Sequence, residues 1–291
     1  MPVTTSPFTL STPQDRTLNG LLDLPDSSKH SSPWPVVVVC HGFKGFMEWG
    51  FFPHVAQLLA ERGFAVVRFN LSGAGQQPGE DEVSDLAAFR DNTYSRELED
   101  LLAVIDALGE EIGDLAGEGN LDVERLGLFG HSRGGAAALL AAAHRDWAER
   151  VTALVTWASI AYVDRFGGEE ERAEWHRRGK LTVVNSRTGQ ELPLGLGLLE
   201  DIETNRLKLD LEAAAGRRTA PWLIVHGEDD ESVPVVEGER LAAAAAGEHE
   251  FERVKKAGHT FNAKHPFAGP TPQLTQAMNA TQTWFRRHLG S

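Results

Sequence analysis

Cysteine is almost missing from these 291 residues: Cys40 stands alone. A single thiol closes no internal disulfide, so the chain has no covalent framework and suits a reducing compartment. Cations are short as well, 28 Lys and Arg against 42 Asp and Glu, for a formal charge of −14. Phosphate backbones and anionic lipid surfaces are gripped by clustered cations, so neither nucleic acid nor membrane is an expected partner. No apolar run reaches the roughly 20 residues that cross a bilayer. The opening Met-Pro-Val-Thr-Thr-Ser has neither the basic start nor the apolar core of a signal peptide. A soluble, cytoplasmic protein is therefore expected. The sequence also lacks an internal repeat, a Gly-Lys-Ser/Thr phosphate loop and a His-Glu-x-x-His pair. Gly73-Ala74-Gly75 has no third glycine and no helix after it, which rules against a dinucleotide fingerprint. His259 and His265 have no second ligand pair at metal spacing, so neither metal nor cofactor is expected.

What is present points to alternating strands and helices. Hydrophobic residues make up 41% of the chain, enough for a large core. Phe8–Ser11 and Thr17–Leu24 alternate apolar and polar, the pattern of an edge hairpin. Trp34–Cys40 is a continuous apolar run bounded by turn residues, as in a strand buried on both faces of a parallel sheet. Helical and strand patterns then take turns through Phe51–Arg62, Phe64–Leu71, Tyr94–Leu108, Arg125–Phe129, Gly135–Arg145, Val151–Ala161, Pro221–His226, Val235–Ala246, Glu250–Lys255 and Pro272–Leu289. Repeated βα units predict an α/β fold: a mostly parallel twisted sheet with helices on both faces. Residues 161–220 break the rhythm. Roughly sixty residues are too many for an ordinary connection, so the expected division is a core of 1–160 and 221–291 with a cap insertion between. Within it, Leu181–Asn185 and Gln190–Leu194 flank a turn and read as a small hairpin.

Leu126 to Gly135 carries the chemistry. Gly130-His131-Ser132-Arg133-Gly134 fits Gly-x-Ser-x-Gly, a serine held on a tight turn between a strand and an alanine-rich helix. A serine hydroxyl is a poor nucleophile at neutral pH, so a histidine must accept its proton and a carboxylate must orient that histidine. The motif predicts the chain order serine, acid, histidine. Of eleven histidines, His259 in Ala257-Gly258-His259-Thr260-Phe261 is the candidate, because it follows a strand at the end of the sheet where function collects. The acid comes from Glu228-Asp229-Asp230-Glu231, where periodicity cannot separate Asp229 from Asp230. An oxyanion needs two backbone donors. The amide of Arg133 is one, and that of Phe43 in His41-Gly42-Phe43-Lys44-Gly45 is the other candidate. His41, Phe46, Trp49, Trp157 and Trp175 are the expected pocket residues, on the ground that aromatics near the predicted mouth hint at an apolar or aromatic acyl group.

Taken together, Cys40-His-Gly-Phe-Lys-Gly, Gly130-His-Ser-Arg-Gly, His226-Gly-Glu-Asp-Asp-Glu-Ser-Val-Pro and Ala257-Gly-His-Thr-Phe make a chain that resembles the α/β-hydrolase superfamily from about Trp34 to Leu289. The nearest branch is that of the dienelactone-hydrolase-like and cinnamoyl-esterase-like serine hydrolases. The resemblance implies that the acid stands three residues after Gly227, at Asp230. Dienelactone hydrolases proper use a cysteine nucleophile, and this chain has a serine, so their lactone substrate does not carry over. The expected activity is cofactor-free cleavage of a small carboxylic ester, thioester or amide through an acyl-enzyme on Ser132. Two rivals stand beside it. One is a peptidase of the acylaminoacyl or prolyl type, which carries an additional large domain for which this chain has no room. The other is a non-catalytic binding protein on the same fold. Oligomeric state is left open, a homodimer included.

Overall fold

The computed structural model describes residues 3–290. Strands β1 (Thr4–Ser11) and β2 (Thr17–Leu24) form the expected hairpin, followed by β3 (Trp34–Cys40), helix α1 (Phe52–Ala60) and β4 (Ala65–Phe69). Helices α2 (Leu86–Arg90), α3 (Tyr94–Ala107) and α4 (Glu111–Ala116) lead to β5 (Leu121–His131), α5 (Arg133–Ala142) and β6 (Val151–Trp157). Next come α6 (Glu169–Arg178), β7 (Lys180–Val184), β8 (Glu191–Gly195), α7 (Leu196–Thr204) and α8 (Leu211–Arg217). The chain closes with β9 (Trp222–Gly227), α9 (Val235–Ala244), β10 (His249–Val254) and α10 (Pro272–Leu289).

Eight strands form one sheet in the order β1-β2-β4-β3-β5-β6-β9-β10. β1 pairs antiparallel with β2, and β2 with β4; every later pair is parallel. The strand run Val36-Val37-Val38-Val39 shows why the sheet is two-faced. Val36 and Val38 join the apolar cluster shared with α3 and α5, while Val37 and Val39 join the one shared with α1 and α10. Alternate residues of a strand point to opposite faces, so an unbroken valine run is stable only when helices cover both. On α10, Leu274, Ala277, Met278, Thr281, Trp284, Phe285 and Leu289 are buried, a helical stripe against the sheet. Burying side chains the size of leucine or phenylalanine stabilises by about 1.5–3 kcal/mol each. Thr271 caps this helix by accepting from the amide of Leu274, and Pro272 occupies its first turn.

Parallel pairing sends the C-terminal ends of β3, β5, β6, β9 and β10 to one edge, and the loops leaving those ends meet there. The segment 161–220 divides in two. Its hairpin, β7 with β8, is a separate two-stranded sheet. Its second half is part of the main body: Leu198, Leu199 and Ile202 of α7 and Leu211, Ala214 and Ala215 of α8 lie in the same buried cluster as β3 and α5. Gln190 ties the hairpin to the loop after β4, its Oε1 accepting from the amide of Val83 at 3.2 Å and its Nε2 donating to the Val83 carbonyl at 2.7 Å.

Candidate active site

Ser132 sits between β5 and α5 with φ 57° and ψ −121°, a backbone conformation that L residues rarely adopt. Its amide donates to the carbonyl of Trp157 at 2.8 Å, which fixes the turn to the neighbouring strand. The flanking glycines are required by close approach. A Cβ on Gly130 would lie 2.2 Å from the Gly134 carbonyl oxygen, and one on Gly134 would lie 2.4 Å from the carbonyl oxygens of Cys40 and His41. Strand, helix and the loop after β3 are thus packed backbone to backbone. That loop reaches the serine at Gly42, where a Cβ would stand 2.9 Å from both the His131 carbonyl oxygen and Ser132 Cβ. Among the described residues, the amides of Phe43 and Arg133 have no acceptor. Both residues line the cavity at Ser132, and the Arg133 amide opens α5, where helical N–H groups favour negative charge.

Asp230 and His259 meet. His259 Nδ1 lies 2.8 Å from Asp230 Oδ2. Asp230 Oδ1 accepts from the amides of Ser232 and Val233 at 2.9 and 2.8 Å, so the carboxylate is oriented by its own loop. Burial alone would raise its pKa, but the His226 ring nitrogen 3.6 Å away and the hydrogen bonds from His259 and the Val233 amide outweigh this and hold the carboxyl well below the usual carboxylate range. An ionised carboxylate only accepts, so His259 carries a proton on Nδ1, and Nε2 is the ring nitrogen turned away from the acid. Asp229 is exposed and faces away; its amide donates to the Ala257 carbonyl at 2.9 Å, joining the acid loop to the histidine loop.

One neighbour was not singled out by the sequence. His131, immediately before the serine, is buried, and its ring packs against that of His259 with centroids 4.7 Å apart. Its Nε2 lies 2.9 Å from the His259 carbonyl, which can only accept, so His131 is the Nε2–H tautomer there. Burial, reinforced by His259, pushes its pKa down to about 3, so it is a neutral donor that pins the His259 backbone. Only its place beside the serine could have flagged it.

Ser132, His259 and the loop after β3 line a cavity of about 590 Å³. Of the expected pocket residues only Trp49 lines it. The other four correct the expectation. Trp157 is fully buried among Phe51, Phe129 and Phe261, its indole N–H donating to Thr281. Trp175 is buried under the hairpin against Phe166, donating to the Leu194 carbonyl. Phe46 is buried edge-on against His265, and His41 is buried with Nε2 accepting from the Leu71 amide. Instead the wall is completed by Tyr94, Arg165 and Phe166 and by the hairpin turn Asn185-Ser186-Arg187.

A mostly parallel sheet with a strained serine at the β5–α5 turn and a carboxylate–histidine pair at the same edge defines an α/β hydrolase. Within that class the chain belongs to the prolyl oligopeptidase family, whose model matches residues 49–291. It is 26% identical over 279 residues to the uncharacterised peptidase YuxL of Bacillus subtilis (strain 168), covering 94% of this chain but 37% of that protein. Est1E from Butyrivibrio proteoclasticus, solved with ferulic acid bound, is 21% identical, with a TM-score of 0.70 over 98% of this chain and 100% of that one. The acylaminoacyl peptidase of Pyrococcus horikoshii is 20% identical, with a TM-score of 0.70 over 100% of this chain and 42% of that one. The chain is a serine hydrolase of the α/β family, with esterases and peptidases among its structural neighbours. No helix among the described residues is long and apolar enough to cross a membrane.

Proposed function

We propose that the chain hydrolyses small carboxylic esters through an acyl-enzyme on Ser132. The observation that carries the reading is the 2.8 Å contact of His259 Nδ1 with the buried Asp230, with His259 and Ser132 lining one cavity. Ser132 Oγ attacks the ester carbonyl while His259 Nε2 takes its proton, and the imidazolium that forms is stabilised by the ionised Asp230. The oxyanion is held by the amides of Phe43 and Arg133, whose free N–H groups support that role. The protonated His259 then gives its proton to the departing alcohol. Water, activated by the same imidazole, releases the acid.

Family membership and the acylaminoacyl peptidase likeness favour a second reading, amide cleavage by the same residues. Paired substrates with one acyl group separate the two: a 4-nitrophenyl ester and the matching 4-nitroanilide. An ester hydrolase turns over the ester with an anilide rate too low to measure, and a peptidase cleaves both. Ser132→Ala is expected to abolish either activity; an unchanged rate in that variant removes the proposal.

A further inference from the structure

Four cationic side chains, Lys44, Arg133, Arg165 and Arg187, line the cavity, and no aspartate or glutamate does. In a chain of net charge −14 that distribution runs against composition. Two of the four are neutralised. Arg133 Nε lies 2.6 Å from Glu97, with both side chains buried, and Arg165 Nη1 lies 2.6 Å from Glu237. The other two meet no carboxylate among the described residues, although Lys44 Nζ also lies 5.4 Å from the centre of the Phe43 ring. Lys44 Nζ donates to the Val184 carbonyl at 3.3 Å, and Arg187 Nη2 donates to the Asp81 carbonyl. The Asp81 carboxylate itself is on His265 Nε2 at 3.0 Å. A carbonyl satisfies a donor's hydrogen but leaves the full charge standing.

The two uncompensated cations share one place. Val184 ends β7, three residues before Arg187, so the Lys44 contact brings the loop after β3 onto the hairpin that presents Arg187. The presentation is firm. Asn185, buried beneath the turn, accepts from the Arg187 amide at 3.1 Å and takes the Gly189 amide on its own carbonyl at 2.8 Å. Lys44 is half-buried, and burial depresses its pKa, so an incoming anion would relieve its desolvation. Lys44, Phe43 and Ser132 line the same cavity, so an anion held there is within one small molecule's length of Ser132.

We propose that the cavity takes an ester that also bears a carboxylate, the anion being held between Lys44 and Arg187 while the ester carbonyl lies at Ser132. This rests on the hydrolase reading above and narrows its substrate class to half-esters of dicarboxylic acids or esters of carboxylated alcohols. Charge-assisted hydrogen bonds to these two groups are expected to favour the anion on the order of ten-fold.

The test compares kcat/KM for 4-nitrophenyl hemiadipate with that for its neutral methyl diester, and for 3-carboxy-4-nitrophenyl butyrate with 4-nitrophenyl butyrate. The first pair puts the charge on the acyl side and the second on the leaving group. The expected result is a preference for the anion in at least one pair, lost in Lys44→Gln/Arg187→Gln and narrowed by salt. Ratios at or below one in both pairs, or a preference that survives the double substitution, overturn the anion site. Binding is read separately by calorimetry with Ser132→Ala, using monophenyl adipate against methyl phenyl adipate. If the wild type turns over none of the esters while Ser132→Ala still prefers the anion, the hydrolase reading falls and the anion site stands. Equal binding of the two adipates, together with equal binding of 3-carboxyphenyl butyrate and phenyl butyrate to the same variant, removes the site whatever the wild type does.

Discussion

Two aspartates side by side differ here only in which way their backbone turns them. Asp230 is buried with two amides on one oxygen and His259 on the other, whereas Asp229 is exposed. Replacing Asp230 with Asn keeps the shape but lets the amide nitrogen, not an oxygen, meet His259, reversing the tautomer. By the triad template kcat for the best ester is expected to fall by up to about 10⁴, with Asp229→Asn near wild type. The opposite ranking would move the acid by one position. In the sequence the serine is picked out by the glycines on either side of it and the histidine by Gly258 and chain order. Residue pattern alone leaves the acid open between Asp229 and Asp230, since adjacent carboxylates share composition, propensity and strand context, and only the family resemblance selects Asp230. Nor were the aromatics: Trp157 and Trp175 differ from Trp49 only in what the tertiary packing lays over them.

At the scale of elements, the turn joining β5 to α5 depends on contact between three backbones. A methyl at position 134 would lie 2.4 Å from two carbonyl oxygens of the loop after β3. Gly134→Ala must therefore push α5 and that loop apart, moving the Arg133 amide relative to Phe43. A misplacement of about 1 Å at a reacting centre can cost on the order of 10², so kcat is expected to fall at least that far, along with a lower midpoint in thermal unfolding. Retention of both would show that the close packing is dispensable. The alternation of strands and helices and the edge hairpin were readable from periodicity, whereas the packing of α7 and α8 into the main core was not. Short helices α2 and α4 were not, because five or six residues carry too few turns for a period to show. In the Leu-Gly-Leu-Gly-Leu-Leu run the buried Leu194, Leu198 and Leu199 anchor β8 and α7 to the main core, a role that the residue pattern alone does not distinguish from pocket lining. Apolar residues look alike whether they face a ligand or a helix.

For the whole molecule, two imidazoles enclosed by the fold set its response to acid. Burial pushes His41 down to about 4 and His131 down to about 3, against about 6.5 in an unfolded chain. As pH falls below 6.5 the unfolded state takes up protons that the folded state refuses, so stability is full above that pH and lost below it. Each imidazole contributes a slope of about 1.4 kcal/mol per pH unit between 6.5 and its folded value. Asp230, with its pKa held down, adds loss of the same sign at still lower pH. Urea midpoints measured from pH 7 to pH 4.5 should drop steeply, and His41→Asn, if folded, should flatten the curve. A flat wild-type profile would mean that these rings are not sealed from protons. The net charge of −14 gave no hint of a cavity walled by cations, since composition sums over a surface that the fold partitions.

The most direct measurement is intact and peptide mass spectrometry after rapid quench of the protein with a 4-nitrophenyl ester. The prediction is one acyl group on the peptide carrying Ser132, formed by the wild type, absent from Ser132→Ala and strongly reduced in His259→Ala. Ester turnover with no adduct at Ser132, or an adduct that forms equally well without His259, would contradict the account.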